Sequence, residues 1–204
     1  MKATDALGDL LTMRRPIVTT REAAARLGLS TSRASQILRS LEESGLARRL
    51  RHGLWVLERD LDPFSVPPYL TAPYPAYVSY WSALARHGMI EQIPGQIFVA
   101  SLGRSRRIIT TVGTYSVHHL APELFDGYEG ASDIGYLATP EKALFDSVYL
   151  RAPQGGPILM PELELPDGFK EGKLAEWTSR IARPRLRTLV SRGLHELMAG
   201  ALHS

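Results

Sequence analysis

Residues 19–57 change their hydrophobic period from helical to strand-like around three glycines, and that succession admits few folds. Thr19 and Glu22 have the spacing of a capping box, in which each side chain satisfies a free backbone N–H at a helix start. Ala23, Ala24 and Leu27 follow at inward-facing positions. Gly28 is the residue type that tolerates a left-handed C-terminal turn, and Ser30 is a natural N-cap for a second helix. From there Ala34, Ile37, Leu38 and Leu41 fall at helical spacing, which predicts a buried stripe ending at Gly45. Leu46 to Leu57 then reads as two short strands meeting at His52-Gly53. Trp55 and Val56 anchor the second strand, and the pattern leaves either as the core-facing residue. Helix, glycine turn, helix, hairpin is the order of a winged helix-turn-helix.

The outward residues carry the chemistry. Thr31, Ser32, Arg33, Gln36 and Arg39 lie opposite the apolar stripe. Arginine pairs bidentately with guanine, and glutamine with adenine, on the major-groove edge of duplex DNA. Hydroxyls near a helix N-terminus suit phosphates, because the dipole there also favours anions. Arg48, Arg49, Arg51 and His52 crowd the hairpin tip, where phosphate contact is expected. The plainer reading is a solvated polar face on an all-α domain, or a winged helix used for protein docking; the basic hairpin favours double-stranded DNA. Charge distribution agrees. Residues 1–60 hold 11 Lys/Arg against 7 Asp/Glu, net +4, and residues 61–204 hold 13 against 14, net −1.

Several function classes find no support. The chain has no cysteine, so disulfides, thiolate metal sites and cysteine nucleophiles are excluded. The N-terminal residues are too acidic, and their apolar run too short, for a signal peptide. No stretch approaches the ~20 apolar residues of a membrane span, and a cytoplasmic location is expected. Leu7, Leu10 and Leu11 suggest instead a first amphipathic helix on the helix-turn-helix. His118 and His119 are neighbours, so on a strand they point to opposite faces and cannot share a metal. Glu141 and Lys142 are adjacent, whereas a nuclease-type carboxylate-x-Lys needs one residue between them. No zincin, nucleophile-elbow, Walker A or dinucleotide motif occurs. No catalytic residue, metal or cofactor is assigned.

Asp62-Pro63, Pro67-Pro68 and Pro73-Tyr74-Pro75 resist helix and central-strand pairing alike. Phe64, Tyr69 and Tyr74 suggest that this connector packs along a surface. The expected organisation is a winged helix over 1–60, a Pro-rich connector over 61–75, and a mixed α+β unit over 76–204 with closing C-terminal helices. The expected fold class is therefore α+β. In the second unit Tyr77 to His87 reads as a helix with Tyr80, Leu84 and Trp81 inward and Gly88 as its end. Strands are expected at Gln96–Ala100, Arg106–Val112, Thr114–His118 and Ile134–Ala138. Thr139 caps a helix with proline at its first position, running to Leu150. A Pro/Gly-rich loop over 152–170 precedes helices at Glu171–Arg180 and Arg185–Met198, separated by Pro184. Lys142 and Asp146 have i,i+4 spacing for an ion pair, and Ser82 and His87 suit cap and core contacts. Arg104, Arg106 and Arg107 form a basic turn that suits DNA phosphate, an acidic partner surface or plain solvent.

Tyr77-Val-Ser-Tyr-Trp-Ser-Ala-Leu-Ala-Arg-His-Gly88, Ile97-Phe-Val-Ala100 and Ala138-Thr-Pro-Glu-Lys-Ala-Leu-Phe-Asp146 resemble the AbiEi-type antitoxin and transcriptional-regulator family. With the winged-helix pattern, the resemblance spans residues 10–150. It implies an N-terminal winged helix joined to a C-terminal antitoxin domain. It also implies repression of the protein's own two-gene operon and neutralisation of a nucleotidyltransferase-like toxin encoded by a neighbouring gene. The rival readings are a stand-alone repressor whose C-terminal domain senses a ligand or oligomerises, and a DNA-targeted nuclease.

Overall fold

A computed structural model describes residues 3–131, 135–155, 158 and 160–201. The first unit runs α1 (Ala3–Leu11), β1 (Ile17–Thr19), α2 (Thr20–Leu27), α3 (Thr31–Glu43), β2 (Arg48–Arg51) and β3 (Leu54–Val56). Local chemistry sets these boundaries. The Thr19/Glu22 capping box is formed in both directions, at 3.0 and 2.7 Å. Gly28 takes φ +64°, a left-handed value that costs a side-chain-bearing residue energy. Ser30 caps α3 by accepting the Arg33 N–H. Ala34, Ile37, Leu38 and Leu41 are all buried, as their spacing predicts. On α1 the inward residues are Ala6 and Leu10. Leu11, expected inward, is 51% exposed, because it lies about 100° round the helix from Leu10.

The wing is a three-stranded antiparallel sheet in the order β1-β3-β2. Strand β1 was not expected from the sequence; its three residues pair Ile17 with Val56 and Thr19 with Leu54. Both candidate anchors on β3 are buried, on opposite faces. Trp55 packs with the helices, and Leu54 and Val56 pack on the other side. The indole N–H of Trp55 donates to Thr20 Oγ1 at 3.0 Å.

The connector holds a 3-10 turn at Pro63–Ser65 and a short helix, α4 (Pro67–Thr71). The prolines allow this because they stand at the first helical positions, where no N–H is needed. Leu61, Val66 and Leu70 are buried, whereas Tyr74 stays half exposed.

The second unit continues β4 (Ala76–Val78), α5 (Tyr80–Arg86), β5 (Ile97–Ser101), β6 (Arg106–Thr110), β7 (Gly113–His119), β8 (Tyr128–Ala131), β9 (Gly135–Ala138), α6 (Pro140–Arg151), α7 (Glu171–Ser179) and α8 (Pro184–Ala201). Its mixed sheet has the order β6-β7-β5-β4-β9-β8. β5 runs parallel to β7, and β4 to β9; the other pairs are antiparallel. Some expected boundaries are corrected. Residues 77–78 are strand rather than helix, since Ala76–Val78 completes the sheet between β5 and β9 before Ser79 turns the chain. The two closing helices form as expected, with Pro184 as the first residue of α8 rather than the residue before it. Strand β6 ends at Thr110, leaving Thr111 and Val112 to the turn. Ile134, expected in the strand that became β9, lies outside the described residues.

Three apolar clusters hold the molecule together. One lies among α1, α2, α3 and β3, and another between the large sheet and α5 to α8. The third joins the two units: Ile17, Leu50, Leu54 and Val56 of the wing meet Val99, Ile108, Tyr115 and Val117 of the large sheet.

Candidate nucleic-acid interface

Helix α3 presents Thr31, Ser32, Arg33, Gln36 and Arg39 to solvent. Arg33 Nη1 donates to Gln36 Oε1 at 3.2 Å, so two residues one turn apart form a single polar patch. Arg39 Nη2 reaches Ser35 Oγ at 3.5 Å.

On the wing, Arg49 and Arg51 flank the buried Leu50 and are exposed. The β2–β3 register shifts between Arg49 and Arg51, the mark of a bulge. Arg49 is held on several sides. Its N–H donates to Glu42 Oε1 of α3 at 2.8 Å. Its carbonyl accepts from the Thr111 hydroxyl at 3.0 Å. Its guanidinium lies 5.8 Å from the Trp55 ring centroid, and its Nη2 sits 3.0 Å from His52 Nδ1.

The two elements face each other across an open cleft of about 730 Å³. Thr31 and Arg39 line one side, and Arg49, Arg51 and His52 line the other. Ser32, Arg33 and Gln36 sit on the adjoining exposed strip of α3, outside the cleft wall. Arg48 does not join the wing cluster; it borders a hollow with Glu42, Glu58 and Arg59.

The polar lining of the cleft also includes Arg21, Ser35 and Arg106, of which only Arg106 was a candidate from the sequence. Ser35 was legible, standing four residues after Thr31 and four before Arg39. Arg21 is the second residue of α2 and carries no local signature of this placement. Arg106 arrives from β6 of the other unit, its guanidinium donating to the Leu70 carbonyl at 3.1 Å. Arg104 and Arg107 are exposed and lie outside the cleft.

The family-like motifs of the second unit are built into its interior. Thr139 caps α6, and Lys142 Nζ donates to Asp146 Oδ1 at 2.6 Å with both side chains wholly buried. Asp146 Oδ2 also accepts from Ser79 Oγ at 2.6 Å and Tyr77 OH at 3.0 Å. Burial, the nearby carboxylate of Asp146 and its hydrogen bond together push the Tyr77 phenol far up, so it stays a donor. Ser82 Oγ accepts from the Phe98 N–H, and His87 Nε2 lies 2.7 Å from the Ala138 carbonyl. His118 is half-buried with Ser116 Oγ 3.0 Å from its Nε2, and desolvation lowers its pKa. Among the described residues no group of three or more His, Asp or Glu side chains is placed to hold a metal ion, and no helix is long and apolar enough to cross a membrane.

A winged helix-turn-helix fused to a mixed α+β unit defines the class to which this architecture belongs. Residues 6–57 match the model of a family described as "Transcriptional regulator, AbiEi antitoxin". This is the family that the sequence motifs resemble, and its description is of a regulator rather than an enzyme. The match covers the winged helix; the Ser-Ala-Leu and Thr-Pro-Glu-Lys motifs lie beyond it. No curated protein matches the chain.

Proposed function

We propose that this protein is the DNA-binding antitoxin of a toxin–antitoxin operon, repressing its own promoter and counteracting a nucleotidyltransferase-like toxin. The observation that carries the DNA half is the cleft in which α3 and the wing bring Arg39, Arg49, Arg51 and His52 together with Arg21 and Arg106. Arg33, Gln36 and Arg39 read base edges in the major groove. Thr31 and Ser32, near the N-terminus of α3, hold phosphate. Arg49, Arg51, His52 and the more distant Arg48 contact the flanking backbone. Arg106 extends the phosphate track, while Arg104 and Arg107 are available to an acidic surface of the toxin. The family description supports the antitoxin half. The connector and second unit together, at net −1 over residues 61–204, suit a protein partner better than a polyanion.

Two measurements test this reading. In the first, labelled duplex from the region upstream of the gene is compared with scrambled duplex; preference for the upstream sequence is expected. In the second, the protein is co-expressed with the neighbouring gene, and rescue of growth is expected. No toxin beside the gene, with upstream binding intact, transfers the assignment to a stand-alone regulator.

A further inference from the structure

The β6–β7 turn of the second unit reaches the wing at its bulge. The Thr111 N–H donates to the Leu50 carbonyl at 3.3 Å, and the Thr111 hydroxyl donates to the Arg49 carbonyl at 3.0 Å. β2 is an edge strand of the wing sheet, so these carbonyls lie on a side with no neighbouring strand. The Arg49 N–H is taken by Glu42 of α3. Arg49 is therefore fixed between the recognition helix and the large sheet, at the point where the register shift re-aims the chain. Behind it Leu50 is buried against the same sheet, in the cluster containing Ile108 and Val117.

We infer that Thr111 is a positioning residue for DNA binding, holding the wing so that Arg49 and Arg51 face the cleft. The inference depends on the DNA-binding reading above. Thr111 touches no DNA itself; it acts through the backbone of Arg49 and Leu50. The second unit is thus part of the DNA-binding machinery, not only a docking surface carried beside it.

The test uses the full-length protein, a labelled mixed-sequence duplex and a range of salt concentrations. Thr111→Val keeps the shape and removes the hydroxyl; Thr111→Ser restores it. Loss of one hydrogen bond that orders the wing is expected to weaken binding about three- to tenfold. The log–log salt slope should also flatten as a phosphate contact is loosened. Thr111→Ser should recover both. In an Arg49→Ala/Arg51→Ala background, Thr111→Val should add little, because it acts through those side chains. Wild-type affinity and slope in Thr111→Val overturn the inference, as does an equal loss in the double-alanine background. If the wild-type protein binds no duplex at low salt, the DNA-binding reading itself fails, and this inference with it.

Discussion

Asp146 is where the interior of the second unit is most exposed to a single change. Lys142, Ser79 and Tyr77 all donate to its carboxylate, and the site excludes water. Asp146→Ala leaves a buried ammonium and two hydroxyls without their acceptor. Destabilisation of about 3–5 kcal/mol is expected, read as a lowered midpoint in urea unfolding. His118 carries a different prediction. Burial lowers its folded pKa, so below about 6.5 the unfolded chain takes up a proton that the folded chain resists. Stability should fall as pH drops from about 6.5 and level off below the lowered folded pKa. His118→Gln should flatten that part of a melting-temperature profile between pH 7 and 5. On α3, Arg33 and Gln36 bond each other on an exposed strip, so neither supports the fold. Replacing either with alanine should leave the melting temperature unchanged. It should cost about 1–3 kcal/mol of discrimination between upstream and scrambled duplex, measured by competition binding.

The wing behaves as a unit because its two cleft-facing arginines share one strand and one bulge. Arg49→Ala and Arg51→Ala should weaken all sequences alike, each reducing the log–log salt slope by about 0.9. Arg48→Ala should change the slope less, since Arg48 borders a different hollow. At this scale the sequence was most legible where caps and periodicity are local. The Thr19/Glu22 box, Gly28, Ser30 and the α3 stripe could be read directly, as could the Thr139 cap of α6. β1, β4 and β8 were not legible. Each is three or four residues long and owes its pairing to distant chain, as when Val78 of β4 meets Leu137 of β9. α4 was hidden by prolines that forbid a helix interior but suit a helix start. The α3 face of the candidate site followed from its stripe. Arg106 could be named as a candidate phosphate contact, but its arrival at the wing, like that of Thr111, could not be read, because sheet packing, not sequence neighbourhood, brings them there.

Across the whole molecule, the cluster joining wing and large sheet decides what can be separated. Residues 1–60 alone would expose Ile17, Leu50, Leu54 and Val56, all buried in the intact chain. Burial of such side chains is worth about 1.5–3 kcal/mol each. The isolated segment should therefore melt well below the full-length protein by circular dichroism, and its duplex affinity should fall with it. An equal melting temperature would show that the first unit stands alone. The α3 surface has the opposite character. Thr31, Ser32, Arg33, Gln36 and Arg39 are all exposed. Their identities are thus free to change without cost to the interior, while the wing beside them is constrained by both units. A lineage or an engineer wishing to retarget such a protein would rewrite one helix face in place. Transplanting the whole head would discard the support that aims it.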